Sequence, residues 1–272
     1  MAAPSLTDAP ATAAAAAAAA TATAAAAAAA EAAQGVDSAS ATEAAAAPAS
    51  RARPSPPSAA DPSFARTDFA YCSCYCEENA YLLLRRLVQQ GADPATLHAV
   101  FVSNEQRCVP VWRQRRSAAP DGLCVWDYHV FAAQRDNNRS LVYDLDTTVE
   151  PFPAPFDSYR REALRQPPDE GAPLLRRRYR VVPAPELFAS FSSDRSHMRT
   201  PDGTGWTMPP PPWPLVGQEF DDKNALPSFL AMARAASDGG VGVGVGPGLL
   251  MDEREFVAFF SPAAGGGAHR RG

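Results

Sequence analysis

Residues 72–91 read CSCYCEENAYLLLRRLVQQG and contain the pattern of an amphipathic helix. Within this stretch, apolar side chains recur at the i, i+3, i+4, i+7 and i+8 positions: Ala80, Leu83, Leu84, Leu87 and Val88. This spacing puts them on one face of a helix and predicts a half-buried helix over 77–90. Gly91 follows as a natural C-terminal stop.

The start of this helix places one cysteine where a nucleophile is expected. Cys76 directly precedes the helix, where unpaired N–H groups and the positive end of the helix dipole favour a thiolate. The same N–H groups are suited to line an oxyanion hole. Glu77 and Glu78 oppose a further negative charge, so an ion pair with a histidine has to outweigh them unless they point away. By position, Cys76 is favoured over Cys72 and Cys74, which we interpret as upstream loop residues.

Short β-type runs downstream of the helix predict strands over 99–103, 109–112, 124–134 and 140–146. The last two flank RDNNR, whose Asp-Asn-Asn core suits a tight hairpin turn. A final short helix is predicted over 252–260, after a Gly- and Val-rich loop at 239–248. This order of elements indicates an α+β domain of about 200 residues.

Only a few histidines are available as a general base: His98, His129, His197 and His269. We interpret His98 as a surface or packed strand residue and His197 as a hydrogen-bonding residue of the polar SDRSH loop. His269 falls in a Gly- and Arg-rich tail. His129 differs from these because it lies in the run WDYHV, on one arm of the predicted hairpin.

The register of the hairpin decides which carboxylate meets His129. A two-residue turn at 136–137 puts His129 opposite Asp144, whereas a turn at 137–138 puts it opposite Asp146 with Asp144 on the diagonal. Opposite Cβ atoms lie about 4.5–5.5 Å apart, and diagonal ones remain within reach of longer side chains. Either register lets a carboxylate orient the imidazole, as in a catalytic triad. The residues alone leave Asp144 and Asp146 both open.

Composition divides the chain into three parts. Residues 1–63 are rich in Ala, Ser, Thr and Pro, and the Ala run has no amphipathic stripe to bury, so we interpret them as a disordered tail. Residues 64–262 have the composition of a globular protein and form the predicted catalytic domain. Residues 263–272 form a predicted flexible C-terminal tail.

Charge and cysteine usage exclude several classes of partner. The 25 Lys and Arg against 30 Asp and Glu give a formal net charge of −5, which provides no footprint for nucleic acid or an anionic membrane. No run of large apolar residues approaches the roughly 18 needed to span a membrane. The N-terminus resembles neither a secretory signal nor a transit peptide. An odd count of 5 cysteines indicates free thiols, and we expect a location in the cytoplasm and also the nucleus.

A zinc site is the alternative use of the cysteine cluster. Cys72, Cys74 and Cys76 with one histidine would supply four ligands. Zinc sites usually have C-x2–4-C spacing and a second knuckle, which this sequence lacks. We therefore expect no metal and no cofactor.

Several motifs in one order resemble a known family. The run SCYCEEN at 73–79 is similar to the signature of the protein N-terminal glutamine amidohydrolases. Further similar blocks follow in the same order: FVSNE at 101–105, VPVW at 109–112, VWDYHV at 125–130, VYDLDT at 142–147 and FSSDRSHM at 191–198. The resemblance covers roughly 64–260, and several long motifs in one order are more specific than any one of them.

The resemblance implies a papain- or transglutaminase-like α+β single domain with a Cys-His-Asp triad. Carried onto this sequence, the nucleophile is Cys76, the base is His129 and the orienting acid is Asp144 rather than Asp146. A carboxylate or backbone carbonyls near Cys76 are suited to recognise the substrate's free α-amine, and Glu77, Glu78 and Asp127 are candidates by proximity alone.

The same resemblance implies the activity. The enzyme deamidates N-terminal glutamine of proteins or peptides to glutamate through a thioester, releases ammonia, cleaves no peptide bond and feeds the N-degron pathway. Its partners are substrates with an exposed N-terminal glutamine, and we expect a monomer that binds neither nucleic acid nor membrane. The alternatives are a cysteine peptidase or transglutaminase, and an interaction protein with a degenerate site.

Overall fold

The computed structural model describes residues 64–136, 139–165, 176–233 and 246–261. The two predicted tails lie outside these ranges, as do residues 239–245 of the predicted Gly- and Val-rich loop. The described residues form a mixed α+β structure in which helices cover both faces of an antiparallel sheet.

The described strands belong to two antiparallel sheets. Their bounds are β1 Leu97–Ser103, β2 Val109–Val111, β3 Cys124–Trp126, β4 His129–Arg135, β5 Ser140–Tyr143, β6 Ala154–Pro155, β7 Arg178–Pro183 and β8 Leu249–Met251. The large sheet has the order β6-β5-β4-β1-β7-β8, and β2 pairs with β3 in the small one. Strands β1 and β4 are therefore central, which places His129 at the start of an interior strand.

Both helices predicted with bounds are confirmed, and the described residues contain three further short ones. Their bounds are α1 Cys76–Gln89, α2 Phe156–Tyr159, α3 Ala184–Ser190, α4 Leu226–Phe229 and α5 Glu253–Phe260. α1 lies within one residue of its predicted bounds, and the side chain of Asp252 caps α5. A π-helical turn, Arg160–Leu164, extends α2. Among the described residues, no helix combines the length and the apolar character needed to cross a membrane.

Side chains of the central strand β1 alternate between two hydrophobic cores. Ala99 and Phe101 pack in the core that α1 covers, whereas Val100 and Val102 pack in the core that α5 covers. The apolar stripe of α1 is fully buried at Leu83, Leu84 and Leu87. Each buried leucine of this kind contributes about 1.5–3 kcal/mol relative to an exposed one, so the stripe fixes α1 against the sheet.

The predicted single strand over 124–134 is wrong, because the chain changes sheets at Asp127 and Tyr128. β3 pairs with β2, and β4 pairs with β1 and β5. Between β3 and β4, the Oγ of Ser103 donates to the carbonyl of Asp127 at 2.6 Å, and the N–H of Tyr128 donates to Asp127 Oδ1 at 2.9 Å. Side chains thus replace the ladder hydrogen bonds at the crossing, which alternation of residue types does not reveal.

The predicted strand over 140–146 is too long, since β5 ends at Tyr143. The N–H of Asp146 donates to Asp144 Oδ1 at 2.9 Å, and this local turn takes the chain out of the sheet. Ala132 pairs with Tyr143, which is the register of a turn at 137–138, two residues outside the described ranges. Extended along the chain, this register puts His129 opposite Asp146 and diagonal to Asp144.

Candidate active site

The first residue of α1 is Cys76, and its side chain is buried with 6% of the residue exposed. Tyr75 precedes it as the N-cap residue, but its side chain makes no capping hydrogen bond. The first N–H groups of the helix are therefore not satisfied by a cap. This is the placement that the sequence predicted for a nucleophile next to an oxyanion hole.

The loop before α1 is held by Asn79, the last residue of the CEEN run. Its Oδ1 accepts from the N–H of Cys72 at 2.9 Å, and its Nδ2 donates to the carbonyl of Cys72 at 2.8 Å. Cys74 adopts a left-handed conformation with a φ of 68°, and the hydroxyl of Tyr75 donates to the carbonyl of Met208. Cys72 and Cys74 are therefore loop residues, as predicted, and the loop fixes where α1 begins.

His129 and Asp144 are brought together across the end of the hairpin. His129 Nε2 lies 3.1 Å from Asp144 Oδ1, and both side chains are almost fully buried. The distance is that of an ion pair, although neither ring nitrogen has an aligned hydrogen-bond partner among the described residues. The contact leaves Nδ1 available to a second group. The diagonal carboxylate, and not the opposite one, thus contacts His129.

Asp144 is held by several donors besides His129. The hydroxyl of Tyr159 donates to its Oδ2 at 2.8 Å, and Gln114 Nε2 donates to the same oxygen at 3.4 Å. The indole of Trp126 stacks on the His129 ring at a centroid distance of 5.5 Å and donates to Gln114 Oε1. These contacts fix the orientation of both the carboxylate and the imidazole.

Electrostatics distinguish the two carboxylates near His129. Burial by itself lowers the pKa of His129, but Asp144 and, less strongly, Asp146 raise it above 6.5 overall. Burial by itself raises the pKa of Asp144, but His129 and the hydrogen bonds to Asp144 lower it below 3.8 overall. The pKa of Asp146 is raised above 3.8 by burial and by the Asp144 charge, although His129 and Tyr71 act against this. Asp144 is therefore the charged partner of His129.

The Cys76 thiol does not favour the thiolate as the helix start alone predicted. Burial, followed by the charges of Glu77 and Asp146, raises the pKa of Cys76 well above 9.0, whereas the backbone N–H of Val130 acts to lower it. The thiol therefore needs a proton acceptor. The contact with Val130 puts Cys76 against the residue that follows His129 in β4.

The two glutamates after Cys76 have different surroundings. Glu78 accepts from Arg195 Nε at 2.7 Å, from Arg195 Nη2 at 2.8 Å and from Trp213 Nε1 at 2.6 Å. Glu77 does not point away from the thiol, since its Oε2 lies 3.7 Å from Cys76 Sγ. Both carboxylates are buried, but only that of Glu78 is fully paired.

Of the remaining histidines, His98 is packed as the sequence indicated, whereas His197 lies nearer to the site than its interpretation as a loop residue suggested. His98 is packed against Phe259 and Phe260, and burial lowers its pKa to about 4. His197, interpreted as a loop residue, lies beside the site, with Nε2 3.5 Å from Glu77 Oε1. His269 lies outside the described residues.

Among the described residues, the group with metal-ligand spacing is His129, Asp144 and Asp146, whose ligand atoms lie within 4.8 Å of one another. The cysteine sulfurs are not part of this group. Asp144 is already bonded to Tyr159, and Asp146 Oδ1 accepts from Tyr71 at 2.5 Å. Hydrogen-bond donors of the protein itself therefore already contact both carboxylates of this group.

Comparison with known proteins gives the family. The profile of the N-terminal glutamine amidase family matches residues 71–260. The chain belongs to this family. A Drosophila mojavensis protein named protein N-terminal glutamine amidohydrolase is 42% identical over 198 residues, covering 71% of this chain and 89% of its own. An Arabidopsis thaliana protein of the same name is 44% identical over 176 residues, covering 62% of this chain and 78% of its own.

Membership of the N-terminal glutamine amidase family makes this chain a hydrolase of amide bonds and confirms the resemblance stated from the motifs. The matched region contains Cys76, His129 and Asp144, and it begins at Tyr71, which contacts Asp146. Most of the described residues thus fall within the region that the family shares.

Sequence reasoning missed four residues of this candidate site: Tyr71, Gln114, Trp126 and Tyr159. Trp126 stands in the WDYHV run, so its position three residues before His129 was a usable signal. Tyr159 contacts Asp144 from α2, and no local pattern links it to the hairpin. Gln114 likewise lies in an irregular segment between β2 and β3, where no periodicity indicates a role.

Proposed function

We propose that this family member deamidates the side chain of an N-terminal glutamine on proteins or peptides, which gives N-terminal glutamate and ammonia. The observation that carries the proposal is the buried His129–Asp144 ion pair, at 3.1 Å, together with a cysteine at the uncapped start of a helix, Cys76, whose sulfur contacts the backbone of the residue that follows His129. The names of the relatives from Drosophila and Arabidopsis support the substrate. We infer a papain- or transglutaminase-like arrangement, with Cys76 and the His/Asp pair on facing elements.

In the proposed mechanism, His129 first removes the proton of Cys76. Its Nε2 faces Asp144, so Nδ1 is the nitrogen free to accept that proton. The thiolate sulfur then attacks the side-chain carboxamide carbon, and the N–H groups at the start of α1 stabilise the oxyanion. The protonated imidazole gives its proton to the departing ammonia, which leaves a thioester.

The second half of the reaction uses the same groups. His129 removes a proton from water, and the resulting hydroxide attacks the thioester carbon. The carbon–sulfur bond breaks, the sulfur regains the proton from His129, and glutamate leaves. Asp144 stays ionised throughout and stabilises the imidazolium, which agrees with its lowered pKa. No step breaks a peptide bond, so the expected product keeps the full length of the substrate.

The biological setting follows from this chemistry as a proposal. A glutamate created at the N-terminus can serve the N-degron pathway, in which such residues mark proteins for degradation. We expect the protein to act as a monomer in the cytoplasm and also the nucleus, on polypeptides with an exposed N-terminal glutamine, without metal or cofactor.

Mass spectrometry of a short Gln-initiated peptide incubated with the protein tests the proposal. We expect the mass shift of an amide converted to an acid on the first residue, and no shift on a peptide with an internal glutamine. Cys76→Ala should lower the rate by at least about 10⁴-fold while circular dichroism shows an intact fold. Normal turnover by Cys76→Ala, or fragments of the peptide instead of a deamidated product, contradicts the proposal.

A further inference from the structure

Two neighbouring buried carboxylates have different degrees of pairing. Glu78 is saturated, because Arg195 binds both of its oxygens and Trp213 adds a third donor. Glu77 is 1% exposed, yet its Oε1 has no hydrogen-bond partner among the described residues. A buried carboxylate oxygen without a donor costs free energy, so its retention indicates a ligand that supplies the donor.

The surroundings of Glu77 define where such a ligand would sit. Its Oε2 accepts from the hydroxyl of Tyr128 at 3.2 Å and lies 3.7 Å from Cys76 Sγ. Within 4.0 Å, the only basic group among the described residues is His197, whose Nε2 lies 3.5 Å from Oε1. That nitrogen is nearer to the hydroxyl of Tyr128, at 3.2 Å. The side chain of His197 is 23% exposed, whereas Glu77 Oε1 is itself buried.

The negative charge of Glu77 opposes formation of the Cys76 thiolate unless a cation pairs with Glu77. Its charge is the second largest cause, after burial, of the raised pKa of Cys76. A cationic group that pairs with Glu77 would offset this charge at the moment when the thiolate has to form. The α-ammonium group of a substrate is such a cation, and it arrives together with the carboxamide.

We propose that Glu77 binds the α-ammonium group of the substrate's first residue and thereby limits the reaction to N-terminal glutamine. The inference rests on the proposed function and names the residue that selects the chain terminus. Tyr128 holds Oε2, which leaves Oε1 for the ammonium group, and His197 forms the outer wall of the pocket.

The dimensions of glutamine agree with this assignment. Four bonds separate the α-nitrogen from the carboxamide carbon, a span of roughly 5 Å when extended and less when folded. The attacking sulfur lies about 3–3.5 Å from that carbon in a reactive pose. These distances allow the α-amine receptor to lie near Cys76 Sγ, and the Glu77 carboxylate is at 3.7 Å.

The other two candidates fit less well. Glu78 has its oxygens occupied by Arg195 and Trp213. Asp127 is exposed, and its Oδ1 already accepts from the N–H of Tyr128 at 2.9 Å. An ammonium group there would exchange water for an exposed carboxylate and would gain little selectivity.

The test compares two peptides that differ only in the α-amine. One begins with glutamine, and the other carries the same residue with the amine replaced by hydrogen, so its side-chain carboxamide remains. The kcat/KM of each is measured with wild type, with Glu77→Gln and with the matched control Asp127→Asn. Glu77→Gln keeps an acceptor for the Tyr128 hydroxyl and removes one charge, as does the control.

We expect wild type and Asp127→Asn to prefer the amine-bearing peptide strongly. In Glu77→Gln, the ratio of the two kcat/KM values should fall roughly 10- to 100-fold, as expected for the loss of a charge-assisted hydrogen bond. A loss of folded enzyme lowers both rates equally and leaves the ratio unchanged, so the ratio separates binding from folding. If turnover by Glu77→Gln is too slow, the affinities of the two peptides for Cys76→Ala and for Cys76→Ala/Glu77→Gln give the same ratio.

Two results overturn the inference while leaving the proposed function intact. One is a wild type that deamidates both peptides equally well, and the other is a Glu77→Gln variant that keeps the wild-type ratio. A wild type that deamidates neither the amine-bearing peptide nor its analogue contradicts the proposed function itself.

Discussion

Two buried charge clusters lie close together in this molecule, and they differ in how completely they are paired. In the first, Glu78 and Arg195 form a two-pronged ion pair, and Arg195 also donates to the carbonyls of Pro211 and Trp213. In the second, His129 contacts Asp144, but both ring nitrogens lack an aligned hydrogen bond among the described residues.

The difference indicates which cluster supports the fold and which supports the chemistry. A saturated buried ion pair offers no atom to a substrate, and breaking it leaves an uncompensated charge. An incompletely paired cluster has shifted pKa values and free lone pairs, which are the properties of a reactive site. Glu77 resembles the second cluster in having an oxygen without a hydrogen-bond partner among the described residues, although it is adjacent to Glu78 in the sequence. The four predictions below test the distinction in order of decreasing effect.

Replacing Asp144 or Asp146 by asparagine, one at a time, tests the second cluster. Asp144→Asn should lower kcat for N-terminal glutamine by about 10³- to 10⁴-fold, because the imidazole loses the charge that orients and stabilises it. Asp146→Asn should lower it by about 10-fold or less, since Asp146 is the weaker influence on His129. Steady-state kinetics with circular dichroism as a folding control decide this, and equal losses from the two variants contradict the assignment of Asp144.

Breaking the first cluster should affect stability. Arg195→Met leaves the buried Glu78 carboxylate without its cation, and we expect a loss of about 3–5 kcal/mol in the free energy of unfolding. Arg86→Met, an exposed arginine on α1, should change it by less than about 0.5 kcal/mol. Urea denaturation measures both, and a near-neutral Arg195→Met would show that the ion pair is not structural.

The pH dependence should follow the pair of His129 and Asp144. The pKa of His129 is raised, so its stabilising contribution is present below pH 6.5 and is lost as pH rises through the folded-state pKa. The pKa of Asp144 is lowered, so its contribution is present above pH 3.8 and is lost as pH falls through the folded-state pKa. The pair therefore stabilises the fold most between pH 3.8 and pH 6.5, the ordinary pKa values of the two groups.

Removing the Asp144 carboxylate should reverse the shift in the pKa of His129. In Asp144→Asn, burial is left as the main influence, so the pKa of His129 should fall below 6.5. An NMR titration of the His129 ring in wild type and variant measures this, and His98 provides an internal reference whose pKa of about 4 should not change. An unchanged His129 pKa in the variant means that Asp144 is not its electrostatic partner.

The smallest expected effect concerns the free thiol. Glu77→Gln removes a charge 3.7 Å from Cys76 Sγ, so alkylation of Cys76 by the uncharged reagent iodoacetamide should become several-fold faster at neutral pH. Burial is the larger cause of the raised pKa of Cys76, and it is unchanged in this variant. Asp127→Asn should have a smaller effect, because Asp127 contributes less. Mass spectrometry of the peptide that contains Cys76 follows the reaction, and equal rates in both variants contradict the role of Glu77.

Local sequence patterns predicted the positions of helices and strands better than they predicted which strands pair with one another. The apolar stripe of α1 placed the helix within one residue, because helical periodicity depends only on neighbours along the chain. The same kind of reasoning joined β3 and β4 into one strand, because a change of sheet depends on contacts such as that of Ser103 with Asp127. The length of β5 was missed for a similar reason, since the Asp144 side chain ends it by binding a backbone N–H.

Local patterns along the chain were enough to predict the helix, the cysteine at its start and the hairpin histidine, and the motifs indicated the family. The residues alone left Asp144 and Asp146 both open, and the family resemblance indicated Asp144. The tertiary structure supplies the physical reason, because a local turn at Asp144 turns a diagonal neighbour into the direct one. The tertiary structure also decided that both oxygens of Glu78 are paired and that one oxygen of Glu77 is not, among the described residues. Arg195 lies 117 residues from Glu78, and pairing across such a distance is set by how the whole chain packs, not by the spacing of residues.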